Sequence, residues 1–218
     1  MLKPFLQVVD AFYLRPDKIR LRAVAMDYFE PERFTGWRTQ AYQPRGIKKL
    51  IETRFRIKID YWEDDLNAIE ASNGVFFSAF ANGSRAELVG VHFDEPLTWT
   101  TLVVYLTPDA PCDAGTSLWQ HRETGLISKP TRRDALRLGT TFEKLITIVE
   151  RDRTILNRWV EIDRIGNVYN RAVIFRGGFF HSATRHFGNN RYNGRLYQSF
   201  HFPIKSDGKK RLMRSGRK

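Results

Sequence analysis

The sequence predicts a mainly β protein with flanking helices, built as a sandwich or barrel. Three observations predict it. From residue 56 onward, short runs rich in β-branched and aromatic residues follow one another closely. Gly, Asn, Asp or Pro separates each run from the next, as expected where strands turn. Apolar residues at helical spacing occur in few places, near the start and in the middle of the chain. The 218 residues suffice for one domain with a real core, and 16 Phe, 8 Tyr and 5 Trp exclude a disordered chain.

The elements follow in order. "FLQVVDAFY" reads as a first strand. Asp10 interrupts its apolar run and no small-residue cleavage site follows, so a signal peptide is not expected. "RPDKIRLRAVAMDY" opens with Pro16 and Asp17 and spaces Ile19, Leu21, Val24, Ala25 and Met26 as a helix does. Gly and Pro punctuate residues 31–45. "GIKKLIETRF" puts Ile47, Leu50 and Ile51 on one helical face. Residues 1 to about 55 are therefore expected to form a helical support. Then come the strand-like runs "RIKIDYW", "GVFFSAF", "LVGVHF", "WTTLVVYL" and "TSLWQH". A helical insertion is expected over about 131–158, with Phe142, Leu145, Ile146 and Val149 as its apolar stripe. "WVEIDRI", "YNRAVIFRG", "FFHSATRHF" and "RLYQSFHF" return to strand. One domain over 1–204 results, with its β core from about 56 to 204 and a basic flexible tail at 205–218.

The net charge is +12, and the tail "KSDGKKRLMRSGRK" supplies half of it, with seven Lys or Arg against one Asp. One reading is a site for nucleic acid or an acidic partner; the other is a solvated end. The tail holds no aromatic residue to stack on a base. The single cysteine, Cys112, excludes an internal disulfide and reads as a loop residue. No apolar run reaches membrane-spanning length. A cytoplasmic protein without a membrane partner is expected.

The chemistry concentrates in "GVHFDEP", residues 90–96. In an extended chain His92 and Asp94 share a face, Phe93 points the other way, and Pro96 ends the ladder. An imidazole beside a carboxylate at a strand end offers two ligands of the facial triad that binds non-haem Fe(II). It could also be a plain hydrogen-bonded pair. A third ligand would come from His121, His181, His186 or His201. His181 follows an apolar strand, a Gly-Gly turn and two phenylalanines. His186 is flanked by Arg185, and His201 lies in a strand of alternating faces.

These residues carry a resemblance. "HFD" at 92–94, "LVVYLTPDAPCDAGTSLW" at 102–119, "NRAVIFRGGFFHSATRHF" at 170–187 and "RLYQSFHF" at 195–202 stand in the order seen in Fe(II)- and 2-oxoglutarate-dependent dioxygenases. The chain resembles their prolyl-hydroxylase-like and phytanoyl-hydroxylase-like branches. It is similar too to a bacterial family of uncharacterised oxygenase-like proteins that share a Gly-Thr turn followed by an aromatic residue and a His, as in "GTSLWQH". The resemblance spans roughly residues 75–203 and implies a double-stranded β-helix, a cupin-like jelly roll buttressed by N-terminal helices. It implies His92, Asp94 and His181 as iron ligands and Arg195 as partner of the distal carboxylate of 2-oxoglutarate. Arg185 and Arg191 compete for that role; the first sits close to His181 and the second in a turn. Tyr105 and Ser199 are implied as further donors to the cosubstrate. His121 and Trp119 are candidates for lining a substrate pocket, with a structural role as the alternative for each. The implied activity consumes O2, releases succinate and CO2, and hydroxylates or desaturates a small molecule, peptide or protein. Asp94 argues against halogenation, because the halogenating members lack that carboxylate. A basic nucleic-acid-binding jelly roll without catalysis, and a metal-binding jelly roll that is not an oxygenase, are the other readings.

Overall fold

The structure, a computed structural model, describes residues 6–30, 36–66, 71, 73–82 and 87–205. Nine strands occur among them: β1 (Leu6–Val9), β2 (Trp37–Ala41), β3 (Val75–Ala79), β4 (Thr100–Tyr105), β5 (Thr116–His121), β6 (Trp159–Ile165), β7 (Ala172–Arg176), β8 (His181–Ala183) and β9 (Arg195–Phe202). They form two antiparallel sheets. The large one has the order β1-β7-β4-β9-β3-β2, and the small one β6-β5-β8. An isolated bridge from His92 to His181 extends the small sheet beyond β8. The chain passes from β3 to His92, back to β4, on to β5 and β6, back to β7, on to β8, and ends on β9. This alternation between facing sheets defines a double-stranded β-helix.

Residue alternation explains the layers. On β9, Leu196, Phe200 and Phe202 point to the outer face of the large sheet. There they meet Leu102 and Val104 of β4 and the apolar sides of two helices, α1 (Pro16–Ala25) and α2 (Ile47–Phe55). Helix α2 buries Ile47, Ile51 and Phe55, one residue per turn along a single stripe. Helices α3 (Arg132–Arg137) and α4 (Phe142–Arg151) cover the outer face of the small sheet instead. Ala135, Leu145 and Val149 pack there on Val91, Trp119, Trp159 and Phe180.

Four expectations need correction. The N-terminal part holds a second strand besides the expected first: β1 and β2 form the two edges of the large sheet. β2 lies within the Gly- and Pro-punctuated region, and its register on β3 shifts between Arg38 and Ala41. "RIKIDYW" and "LVGVHF" make only single bridges, Ile59 to Ile204 and His92 to His181, in place of strands. The insertion at 131–158 is broken. Gly139 has φ of +63°, which a glycine adopts freely, and Thr141 caps a new helix by accepting from Lys144 N–H. Apart from Lys205, the basic tail lies outside the described residues. No helix among the described residues is long and apolar enough to cross a membrane.

Candidate metal centre

His92 and His181 exchange backbone hydrogen bonds across the bridge, at 2.9 and 2.8 Å. Asp94 N–H donates to Gly177 O at 2.7 Å, fixing the next residue but one. A Cβ on Gly177 would stand 2.9 Å from Asp94 Cβ and 3.1 Å from Thr101 Oγ1, so this position requires glycine. The three side chains then converge. One ligand atom each from His92, Asp94 and His181 lies within 4.8 Å of the others, a grouping that could hold a metal ion.

Both imidazoles are oriented from behind. His92 Nδ1 lies 2.9 Å from Gly90 O, and His181 Nδ1 lies 2.8 Å from Phe179 O. A carbonyl oxygen only accepts, so each Nδ1 carries a proton and each ring turns its Nε2 forward. His92 Nε2 lies 3.9 Å from Asp94 Oδ1, and His181 Nε2 lies 3.4 Å from Asp94 Oδ2. Acceptors facing one another repel unless a cation sits between them. Two ligand atoms about 2.1 Å from one ion and at right angles stand about 3 Å apart, close to these spacings. The donor set therefore fits a divalent transition metal.

The electrostatics agree. Burial, followed by the neighbouring His181, pushes the His92 pKa down to about 4, which keeps the ring neutral at pH 7. Burial alone would raise Asp94, but His181, His201, His92 and the Thr101 hydroxyl together hold it at about 2. Thr101 Oγ1 donates to Asp94 Oδ2 at 2.5 Å, and the same oxygen lies 3.3 Å from His201 Nδ1. Since the Thr101 proton goes to the carboxylate, His201 Nδ1–H must donate to Thr101. His201 Nε2 then accepts from Ser199 Oγ at 3.0 Å. This chain holds one Asp94 oxygen in place. Partners of this kind are worth about tenfold to a hundredfold in metal affinity. Thr101→Val, close to isosteric, is therefore expected to weaken Fe(II) or Ni(II) binding by about that factor, measured by competition with a chromophoric chelator. An unchanged affinity would remove Thr101 from the site.

Arg195 opens β9 on the same face as Tyr197, Ser199 and His201. It is only 4% exposed. Its guanidinium crosses to the small sheet, where Nη2 donates to Gly115 O at 3.1 Å and approaches Thr116 Oγ1 at 3.5 Å. Nε has no hydrogen-bond partner, and no ion pair joins Arg195 to a carboxylate among the described residues. The Tyr197 ring lies 4.4 Å beneath the guanidinium, and Tyr105, whose hydroxyl donates to Thr116 Oγ1 at 2.7 Å, lies 5.8 Å away. The two competing arginines are committed elsewhere. Arg185 pairs with Asp113 at 2.7 Å, and Arg191 lies over the Tyr28 ring.

The structure does not bring His121 or Trp119 to this space. Both sit on the opposite, helix-covered face of the small sheet. His121 is fully buried, with Nδ1 3.0 Å from Thr124 Oγ1 and Nε2 3.1 Å from Asp152 Oδ2. Trp119 donates from Nε1 to Ser182 Oγ at 2.9 Å and packs under α3 and α4. The substrate-pocket expectation for both gives way to structural roles. Thr116 faces Arg195, so alternation along β5 turns Trp119 and His121 to the other face; the irregularity between Leu118 and Trp119 loops out Ile162 of β6 and leaves β5 in step. Two residues were missed. His201 and Thr101 approach Asp94 from strands whose pairing the sequence does not spell out.

A family model of unknown function, DUF6445, matches residues 3–200. The chain belongs to this family. No curated protein matches the DUF6445 chain in sequence. Among solved structures, two of HygX from Streptomyces hygroscopicus are similar to it, each at 10% identity and covering 91% of this chain and 82% of that one. One, with nickel and 2-oxoglutarate bound, has a TM-score of 0.46; the other, with hygromycin B as well, has 0.47. The fold of the DUF6445 chain is defined by its own strand order.

Proposed function

We propose that the chain is an Fe(II)- and 2-oxoglutarate-dependent oxygenase that oxidises a C–H bond of its substrate. One observation carries the reading: a His-Asp-His group and a buried guanidinium, without an ion pair among the described residues, share the space between the two sheets. Each half needs the other's ligand. Neutral Nε2 atoms and a carboxylate call for a cation, and a buried arginine calls for an anion. A dicarboxylate anchored at one end on the metal and at the other on Arg195 satisfies both at once.

In this reading His92, Asp94 and His181 hold iron on one face and leave the opposite face open. Arg195 grips the distal carboxylate through two N–H groups, a geometry that lysine cannot offer. Tyr105 and Tyr197 form the walls that keep water from that ion pair. Thr101 and His201 keep Asp94 from rotating. Iron with 2-oxoglutarate and O2 supplies the oxidation, which releases succinate and CO2. The residues named supply orientation and a dry space.

Anaerobic titration with Fe(II) and then 2-oxoglutarate tests it. A weak visible charge-transfer band should appear only when both are present and vanish in His181→Ala. A folded, iron-loaded protein that gives no band would overturn the reading.

A further inference from the structure

A second site lies away from the metal centre. Helix α2, the chain that follows it, and the ends of β4 and β7 surround a concavity of about 1050 Å³. Lys48, Lys49, Arg56, Lys58, Arg176 and Lys205 line it, against one acid, Glu52. Glu52 is already engaged, since its Oε1 accepts from Ile59 N–H at 3.0 Å. Of the six cations only Lys205 makes an ion pair among the described residues, a loose one of 4.0 Å to Asp60. Five positive charges thus face one recess without a described partner. Water and salt screen these charges, but a recess lined so predominantly by one sign attracts an anion.

An aromatic pair is next in sequence to residues at the recess. Trp99 follows Thr98 of the lining, and Tyr61 follows Asp60, the partner of Lys205. Their rings are 5.9 Å apart, and Tyr61 is 55% exposed. The tail's charges lack a stacking residue in sequence; the fold brings two of them beside the recess at which that tail begins.

We propose that this recess binds the phosphates of a single-stranded nucleic acid, with Tyr61 and Trp99 as the platform for a base. The charges supply affinity without sequence preference, and an exposed ring accepts any base face. A duplex keeps its bases stacked away from such a pair, and a lipid surface would meet the rim of the recess, not its interior. Gly177 N–H donates to Trp99 O at 3.0 Å, and Gly177 O accepts from Asp94 N–H, so the platform stands beside the metal group. Binding requires neither metal nor cosubstrate, so it stands or falls separately from the oxygenase reading.

Fluorescence anisotropy with a labelled oligothymidylate of about 20 nucleotides tests the proposal on the full chain. Three variants accompany it: Lys48→Glu/Lys49→Glu/Lys58→Glu in the recess, Tyr61→Ala at the platform, and a tail with Lys209, Lys210, Arg211 and Arg214 changed to Ser. The tail variant should still bind, and five phosphate contacts predict that its affinity falls about a hundredfold between 50 and 200 mM salt. The recess variant should lose more than about tenfold and flatten that salt dependence. Tyr61→Ala should lose about tenfold with the salt dependence unchanged. Circular dichroism checks that each variant is folded. Three results would overturn the proposal: no salt-dependent binding by the full chain, binding lost with the tail charges but indifferent to the recess charges, or equal affinity for phosphatidylserine vesicles.

Discussion

Replacing Arg195 with methionine is expected to abolish 2-oxoglutarate binding and to raise the melting temperature of the ligand-free protein. The two effects share one cause. The guanidinium is 4% exposed, its Nε has no partner, and no described carboxylate neutralises it. In the ligand-free chain it is a buried charge that meets Gly115 O, Thr116 Oγ1, the Tyr197 side chain and the Tyr105 ring, with no ion pair to a carboxylate among the described residues. Methionine fills most of the volume without the charge, and such replacements are often stabilising by about 1 kcal/mol or more. In a chain of this length that is about 2–4 °C. The ligand loses its counter-charge. Removing one partner of a buried charged pair costs roughly 2–5 kcal/mol, or about thirtyfold to several thousandfold in affinity. Calorimetry with 2-oxoglutarate and a thermal melt read both sides. Undiminished binding would remove Arg195 from the cosubstrate reading, and a lowered melting temperature would make it a structural residue.

Asp152→Ala is expected to be the most damaging single change away from the metal group. Asp152 is 1% exposed, accepts from Arg151 Nε at 2.7 Å and lies 3.1 Å from His121 Nε2. Truncating it strands the fully buried His121 beneath Trp159, whose ring is 4.7 Å away. Leaving a buried polar group without its hydrogen-bond partner in this way costs roughly 1–3 kcal/mol. The Arg151 hydrogen bond outweighs burial and, with His121, holds the Asp152 pKa at about 2, below the ordinary 3.8. A carboxylate with a lowered folded-state pKa stabilises above the unfolded value and loses that contribution as pH falls through the folded one. The stability gap between wild type and Asp152→Ala should therefore be full above about pH 4 and close towards pH 2. Urea denaturation across that range measures it. A gap that is absent at neutral pH, or that widens in acid, would refute the assignment.

How much of this was legible depended on the range of the interaction. β6 and β9 coincide with the runs "WVEIDRI" and "RLYQSFHF", because β-branched and aromatic residues bounded by turn residues mark a strand locally. His92 and Asp94 were readable as neighbours because residues two positions apart share a side of an extended chain. The break in the helical insertion was missed, although a glycine followed by a threonine cap at Gly139 and Thr141 is a local stop and start. β2 was hidden because its pairing shifts register and its surroundings read as turns. His201 and Thr101 face Asp94 only because β9 lies beside β4, a partnership settled by packing and not by either strand alone. Trp119 and His121 were misplaced because β5 is buried on both faces, so its sequence does not say which face meets the large sheet. The recess and its aromatic pair draw on α2, on residues 56–61 and on the ends of distant strands, so no local pattern announced them.

β9 is hydrogen-bonded on both sides, by β4 and by β3, and carries Arg195 at one end and His201 beside Asp94 at the other. A strand clamped in this way neither stretches nor slides. It acts as a ruler between the metal group and the guanidinium. In the proposed reading, the cosubstrate would then be selected by carbon count as much as by charge. A 2-oxo diacid one carbon shorter would leave a gap at Arg195, and one carbon longer would have to buckle, although both present the same two terminal groups.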